Sequence, residues 1–178
     1  MPGLGTLYAI VMKTIYFISI LLILFSCNTV DTNKEINKTD NVQTFEEQKT
    51  LVIRTDFSDD AIWKTLCDNI THPQTDLKFT PYVEFISDKK YESLTPEQVQ
   101  KMLPTNYHES IVFIVDNKTM THKDNPVICV DLQAEKGRMF RIIPSEMWSI
   151  ENNVRIANMD FYEFADQVDP EGIFRGFR

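Results

Sequence analysis

Hydrophobic and polar positions divide the chain into three stretches. Residues 4–26 are apolar except for Lys13 and a few small polar residues, and the densest run, Ile15–Phe25, follows Met12-Lys13. Residues 28–49 are almost wholly polar. With so few apolar side chains to offset the entropy of ordering it, this second stretch is expected to be a flexible tether. From residue 50 onward, short apolar runs alternate with polar, Asp- and Pro-marked connections, the pattern of a folded domain.

Within that third stretch, Leu51–Thr55 and Tyr82–Ile86 have β character. Ile111–Val115 and Val127–Asp131 are continuously apolar and β-branched, as in strands buried on both faces. Met139–Ile143 follows the turn residue Gly137 and is expected to pair with Val127–Asp131 as a hairpin. Ile62, Leu66 and Ile70 form an i, i+4 row that predicts a helix over 59–70, with Asp56–Asp60 supplying cap candidates. Thr95-Pro-Glu-Gln98 is a capping box that opens a helix to about Leu103. Pro144-Ser145 is expected to start a helix carrying Ile150, Val154 and Ala157, and Asp160 with Glu163 opens another to about Val168. Asp116 to Asn125 is expected to be a polar connection. Strands alternating with helices make this a single layered α/β domain, with a mixed, partly parallel sheet flanked by helices.

Composition changes the picture in three ways. The 178 residues carry a formal charge of −8, and 14 Lys/Arg against 21 Asp/Glu from residue 50 onward put −7 of it on the domain. That balance argues against nucleic acid, which needs a basic face, and suits a basic protein partner. Three Cys exclude a disulfide-dense scaffold. Cys67 and Cys129 are expected as small core hydrophobes, with a bridge possible only if their Cα atoms come within about 7 Å.

A positive residue before an apolar run describes a secretory signal, and Met12 is an alternative start to Met1. Leu24-Phe-Ser-Cys27 resembles the lipobox of bacterial lipoproteins. The resemblance implies that residues 1–26 are removed, that Cys27 carries acyl chains, and that 27–49 tether a domain at 50–178 to a membrane of the bacterial cell envelope. The competing reading is a retained transmembrane helix. It would place Lys13 near mid-bilayer, at a cost of roughly 2.5–3.5 kcal/mol.

A second resemblance covers 51–177. Arg-Thr-Asp-Phe-Ser-Asp-Asp at 54–60, Leu-Thr-Pro-Glu-Gln at 94–98, Trp-Ser-Ile-Glu-Asn-Asn at 148–153, Ile-Ala-Asn-Met-Asp-Phe at 156–161, Glu-Phe-Ala-Asp at 163–166 and Gly-Ile-Phe-Arg-Gly-Phe at 172–177 are similar to a bacterial family of uncharacterised domains. That likeness implies no reaction, ligand or catalytic residue.

Candidate chemistry comes from position. Asp56, Asp116 and Asp131 each end a predicted strand; if the three strands are parallel, their carboxylates converge where open α/β sheets place ligands. They could hold Mg²⁺ or Ca²⁺, or serve only as caps and turn formers. No cofactor is called for, since no metal-loop spacing, G-x-G-x-x-G, P-loop or G-x-S-x-G occurs, and His72, His108 and His122 form no zinc cluster. Arg54 and Arg141 fall inside apolar strands, where they need partners such as Asp56, Glu84 or Asp131, or an anionic ligand. Trp148, Glu151, Asn152, Asn153 and Asn158 form a polar-aromatic cluster on a helical pattern; its amides serve either a ligand or a helix break. The expectation is a non-catalytic, lipid-anchored binding module. An immunity-type protein that neutralises a basic partner and a metal-assisted enzyme are the alternatives.

Overall fold

Every residue of Ile111–Val115 and Val127–Asp131 is buried, as the two continuous apolar runs require of strands covered on both faces. In the computed structural model the described residues are 48–178, except Thr75 and Leu77, and they belong to one compact unit, Phe45–Arg178. The expected signal segment, most of the tether and Cys27 lie outside the described residues. Gln48, expected to be tether, already docks: its amide donates to the Asn106 carbonyl at 2.7 Å and accepts from the His108 N–H at 2.9 Å.

The fold is a mixed six-stranded sheet with helices on both faces. Its strands are β1 (Thr50–Arg54), β2 (Val83–Ile86), β3 (Ile111–Val115), β4 (Val127–Asp131), β5 (Met139–Ile142) and β6 (Ile173–Phe174), in the order β2-β1-β3-β4-β5-β6. β1 is parallel to β2 and β3, β4 runs antiparallel to β3 and β5, and β6 is parallel to β5. The helices are α1 (Asp60–Thr71), α2 (Pro96–Met102), α3 (Asn117–Thr121), α4 (Met147–Arg155) and α5 (Phe161–Ala165), with 3₁₀ turns at Lys89–Tyr91 and Pro144–Glu146.

Alternation along each strand sorts the core into two layers. Val52, Phe113 and Cys129 face Leu66 and Ile70 of α1, Ile150 of α4 and Phe164 of α5. Leu51, Ile53, Val112 and Ile114 face Val99 of α2 and Tyr91 of the first 3₁₀ turn. The helix joining β1 to β2 therefore lies on one face, and the helix joining β2 to β3 on the other. The chain leaves β1 toward one neighbour and returns on its far side, which makes the gap between the C-terminal ends of β1 and β3 a topological switch point.

Two elements were not anticipated. The connection after β3 contains α3, which Asp116 caps from its side chain to Thr119 N at 3.0 Å. The tail pairs as β6, through Ile173 and Phe174. Others are shorter than expected. Ala157 lies beyond the end of α4 at a left-handed φ of 53°, and α5 stops at Ala165.

Candidate functional site

The switch point is built from two loops, one after β1 and one after β3. As β1 ends, Asp56 turns the chain by accepting from Ser58 N at 2.8 Å, and its other oxygen accepts from Asn117 Nδ2 at 2.9 Å, tying the β1 loop to the start of α3. Asp116 uses one carboxylate to cap α3 and to receive both guanidinium nitrogens of Arg141, at 3.0 and 2.6 Å. Arg54, only 2% exposed, braces the loop: it donates to the carbonyls of Asp56 at 2.8 Å and Asp59 at 3.2 Å and pairs with the Asp60 carboxylate at 2.7 Å. The two strand arginines thus find partners other than the carboxylates expected for them. Asp60 and Asp116 take those roles, while Asp56 offers Arg54 its carbonyl.

These loops and the 92–94 segment enclose a cavity of about 510 Å³. Asp56, Ser58, Asn117 and Asp116 line one part, Glu92 and Ser93 another. Phe57 forms an aromatic wall, with the guanidinium of Arg54 4.5 Å and the ammonium of Lys89 5.0 Å from its ring centre. Ser93 holds a left-handed φ of 60°, fixed by its N–H donating to Thr55 O at 2.8 Å. Non-glycine residues pay a steric penalty there, and such conformations collect at binding and catalytic loops.

The electrostatics follow from those bonds. Desolvation pushes the Asp56 carboxyl up, but hydrogen bonds from Ser58 and Asn117, with the charge of Arg54, outweigh it and hold the group below the usual range. Asp116 behaves alike. Its burial is overcome by the hydrogen bonds and charge of Arg141 and by the Thr119 cap. Both carboxylates are therefore ionised at neutral pH, and both are already engaged by donors.

Residues 49–177 match the model of a family described as a domain of unknown function, DUF6924. The chain belongs to that family. No curated protein matches it. The matched span takes in all six strands, so every residue of the switch-point cavity lies inside the DUF6924 domain.

The remaining candidates of the DUF6924 domain lie elsewhere. Because β4 is antiparallel to β3, Asp131 stands at the opposite sheet edge from Asp56 and Asp116, buried and accepting from Gln133 N at 2.8 Å and Glu135 N at 2.7 Å. It shapes a turn there. Trp148 stacks on Phe79, ring centres 5.3 Å apart and 9° from parallel. Asn153 donates to Ser149 O and accepts from Asn158 Nδ2, while the Asn152 carbonyl receives Ile156 N. These bonds close the C-terminal end of α4. Glu151 is fully buried beneath them, accepting from Tyr82 N at 2.9 Å and Thr50 Oγ1 at 3.4 Å.

Cys67 and Cys129 are free thiols, and burial pushes the Cys67 thiol up to about 11. Among the described residues no group of three His, Cys, Asp or Glu side chains is placed to hold a metal ion, and no helix is long and apolar enough to cross a membrane. Sequence reasoning missed Phe57, Glu92, Ser93 and Asn117. Only Asn117 had a signal, as the residue after a candidate cap.

Proposed function

We propose that the domain is a non-catalytic binding module, held at a membrane of the bacterial cell envelope by a lipid on Cys27, that takes a basic protein partner at the switch-point cavity. The observation that carries this reading is the engagement of the strand-end carboxylates. Asp56, Asp116 and Asp131 each accept two or more internal hydrogen bonds, so their lone pairs hold loops together. A carboxylate acting as acid, base or cation ligand needs them open. The cavity still presents the field of ionised acids, and a domain charge of −7 would speed capture of a basic surface. An immunity-type role is the same physics with a toxic partner.

The test is recovery of a partner from envelope extracts on the full chain at low salt. Wild type is expected to retain a basic protein, Asp56→Lys with Glu92→Lys to lose it, and Glu97→Lys, on the exposed first turn of α2, to keep it. Equal recovery by all three would sink the cavity assignment. For the anchor, radiolabelled palmitate should mark wild type and not Cys27→Ala; equal labelling would refute it.

A further inference from the structure

An open sheet has two outer strands, each with a row of backbone groups that face away from the sheet. Here they are β2 and β6, and the chain treats them differently. At β6, the carbonyls of Gly172 and Phe174 accept from the N–H groups of Arg141 and Ile143, so Ile173 between them faces outward. Both of its outward groups are closed from within the chain. The Ile173 N–H donates to the Asp169 carboxylate at 3.0 Å, and its carbonyl accepts from Asp169 N at 2.9 Å.

β2 has no such closure. Its register with β1, and the bond from Thr50 N to the Tyr82 carbonyl at 3.1 Å, turn Tyr82, Glu84 and Ile86 toward β1. By alternation, Val83 and Phe85 direct their N–H and C=O groups outward, and among the described residues nothing bonds to them there. No Pro, Lys or bulge blunts the strand, although these devices commonly protect a free edge. Apolar surface flanks it as well. Phe85 meets Trp63 of α1 edge-on, with ring centres 5.9 Å apart. Ile62, next to Trp63, is 36% exposed, and Phe79 and Tyr82, just ahead of β2, are 43% and 37% exposed.

We infer that β2 pairs antiparallel with β2 of a second copy about a twofold axis, joining two six-stranded sheets into one. The occupant is a second copy because the strand is complementary to itself. With the axis through Phe85 and perpendicular to the sheet, the outward Phe85 N–H donates to the Phe85 carbonyl of the second copy, and the reverse. The two rings then stand opposite each other as a cross-strand aromatic pair, and Glu84 lies opposite Ile86. An axis through Glu84 would also pair Val83 with Phe85, but it sets two Glu84 carboxylates directly opposite, which like charges disfavour. Charge thus selects the register. The inference goes beyond the partner reading, since β2 forms no wall of the switch-point cavity. Salt also separates the two: pairing of two domains of charge −7 tightens as their repulsion is screened, whereas capture of a basic protein weakens.

The experiment is sedimentation equilibrium of the full chain in excess detergent, over a range of protein and salt concentrations, with amide hydrogen exchange at Glu84 and Phe85. A dimer is expected whose fraction rises with protein and with salt. The Phe85 amide should gain protection as the dimer forms, while the Glu84 amide, already bonded to β1, is protected throughout. Val83→Pro, which an outer strand tolerates because the lost N–H faces outward, should weaken pairing about tenfold, since both copies lose a hydrogen bond. Ile62→Glu, at a position already part-exposed, should weaken it severalfold and decides the matter if the proline variant does not fold. A monomer at every concentration, a Phe85 amide that exchanges alike in dilute and concentrated samples, pairing that weakens with salt, or an Ile62→Glu variant that pairs like wild type would each overturn the inference. Partner capture through Asp56 and Glu92 is read separately, so either proposal can fail alone.

Discussion

The two ends of the parallel strands treat the same chemical group in opposite ways. At the C-terminal edge, Asp116 meets a guanidinium through both of its oxygens, and its carboxyl is held below the ordinary 3.8. At the N-terminal edge, Glu151 is fully buried, with two uncharged donors and the Arg155 guanidinium 3.9 Å away and shared with Glu109. Desolvation wins there and lifts the carboxyl above the ordinary 4.5, against the Tyr82 hydrogen bond and the charge of Arg155. One edge keeps its acids charged and faces the switch-point cavity. The other buries Glu151 to fasten Thr50 of β1 and Tyr82, the residue before β2, to α4. Burial alone does not set the outcome; the ionic character and geometry of the donors do.

Removing Asp116 should give the largest effect. Asp116→Ala leaves the mostly buried Arg141 without its carboxylate and uncaps α3, and is expected to cost about 3 kcal/mol in urea unfolding. Asp116→Asn keeps an acceptor for Thr119 and should cost about half as much. A loss below about 1 kcal/mol for the alanine variant would show the pair to be solvated like a surface bridge and erase the contrast between the edges.

Glu151 should matter less, because deleting it also relieves a desolvated charge. Glu151→Ala is expected to cost about 2 kcal/mol through the donors it strands at Tyr82 and Thr50, and Glu151→Gln less. The sharper readout is pH. With its folded value raised, Glu151 stays protonated in the native state where the unfolded chain has released its proton. Its contribution is thus full below 4.5 and declines as pH rises through the raised value. Asp116 has the reverse sign, contributing fully above 3.8 and losing its contribution as pH falls through the lowered value. Glu151→Gln should therefore flatten the decline in stability on the neutral side of 4.5 without abolishing it, since Glu146 is also raised by burial. A slope equal to that of wild type would break the comparison.

How much of this was legible depended on range along the chain. The apolar runs marked β1 to β5 because each pattern is local, and Thr95 to Gln98 and Asp160 to Glu163 marked helix starts for the same reason. Periodicity tells which face a side chain takes but not which strand lies beside it, so the parallel grouping that would gather Asp131 with Asp56 and Asp116 was open. Only eleven residues separate Val115 from Val127, short of the dozen or so that a parallel crossover needs, which accounts for the antiparallel pairing found there. The partners of Arg141 and Glu151 are long-range, 25 residues away at Asp116 and 69 at Tyr82. No composition rule reaches that far. β6, at two residues, is below the length at which alternation shows.

Ser93 was the least legible residue of the site, since nothing in a serine announces a left-handed backbone. It also carries the smallest prediction and the one that best separates folding from binding. Ser93→Gly removes the steric penalty at φ 60°, worth about 1 kcal/mol, while glycine gives back about 0.4–1 kcal/mol through the freedom of the unfolded chain. The net should be a gain of no more than about 0.5 kcal/mol, with the Ser93 N–H to Thr55 O bond kept. Partner capture should nevertheless fall, because the hydroxyl leaves the cavity wall. If stability rises and capture is unchanged, the strain at Ser93 belongs to the architecture of the C-terminal edge and not to what that edge binds.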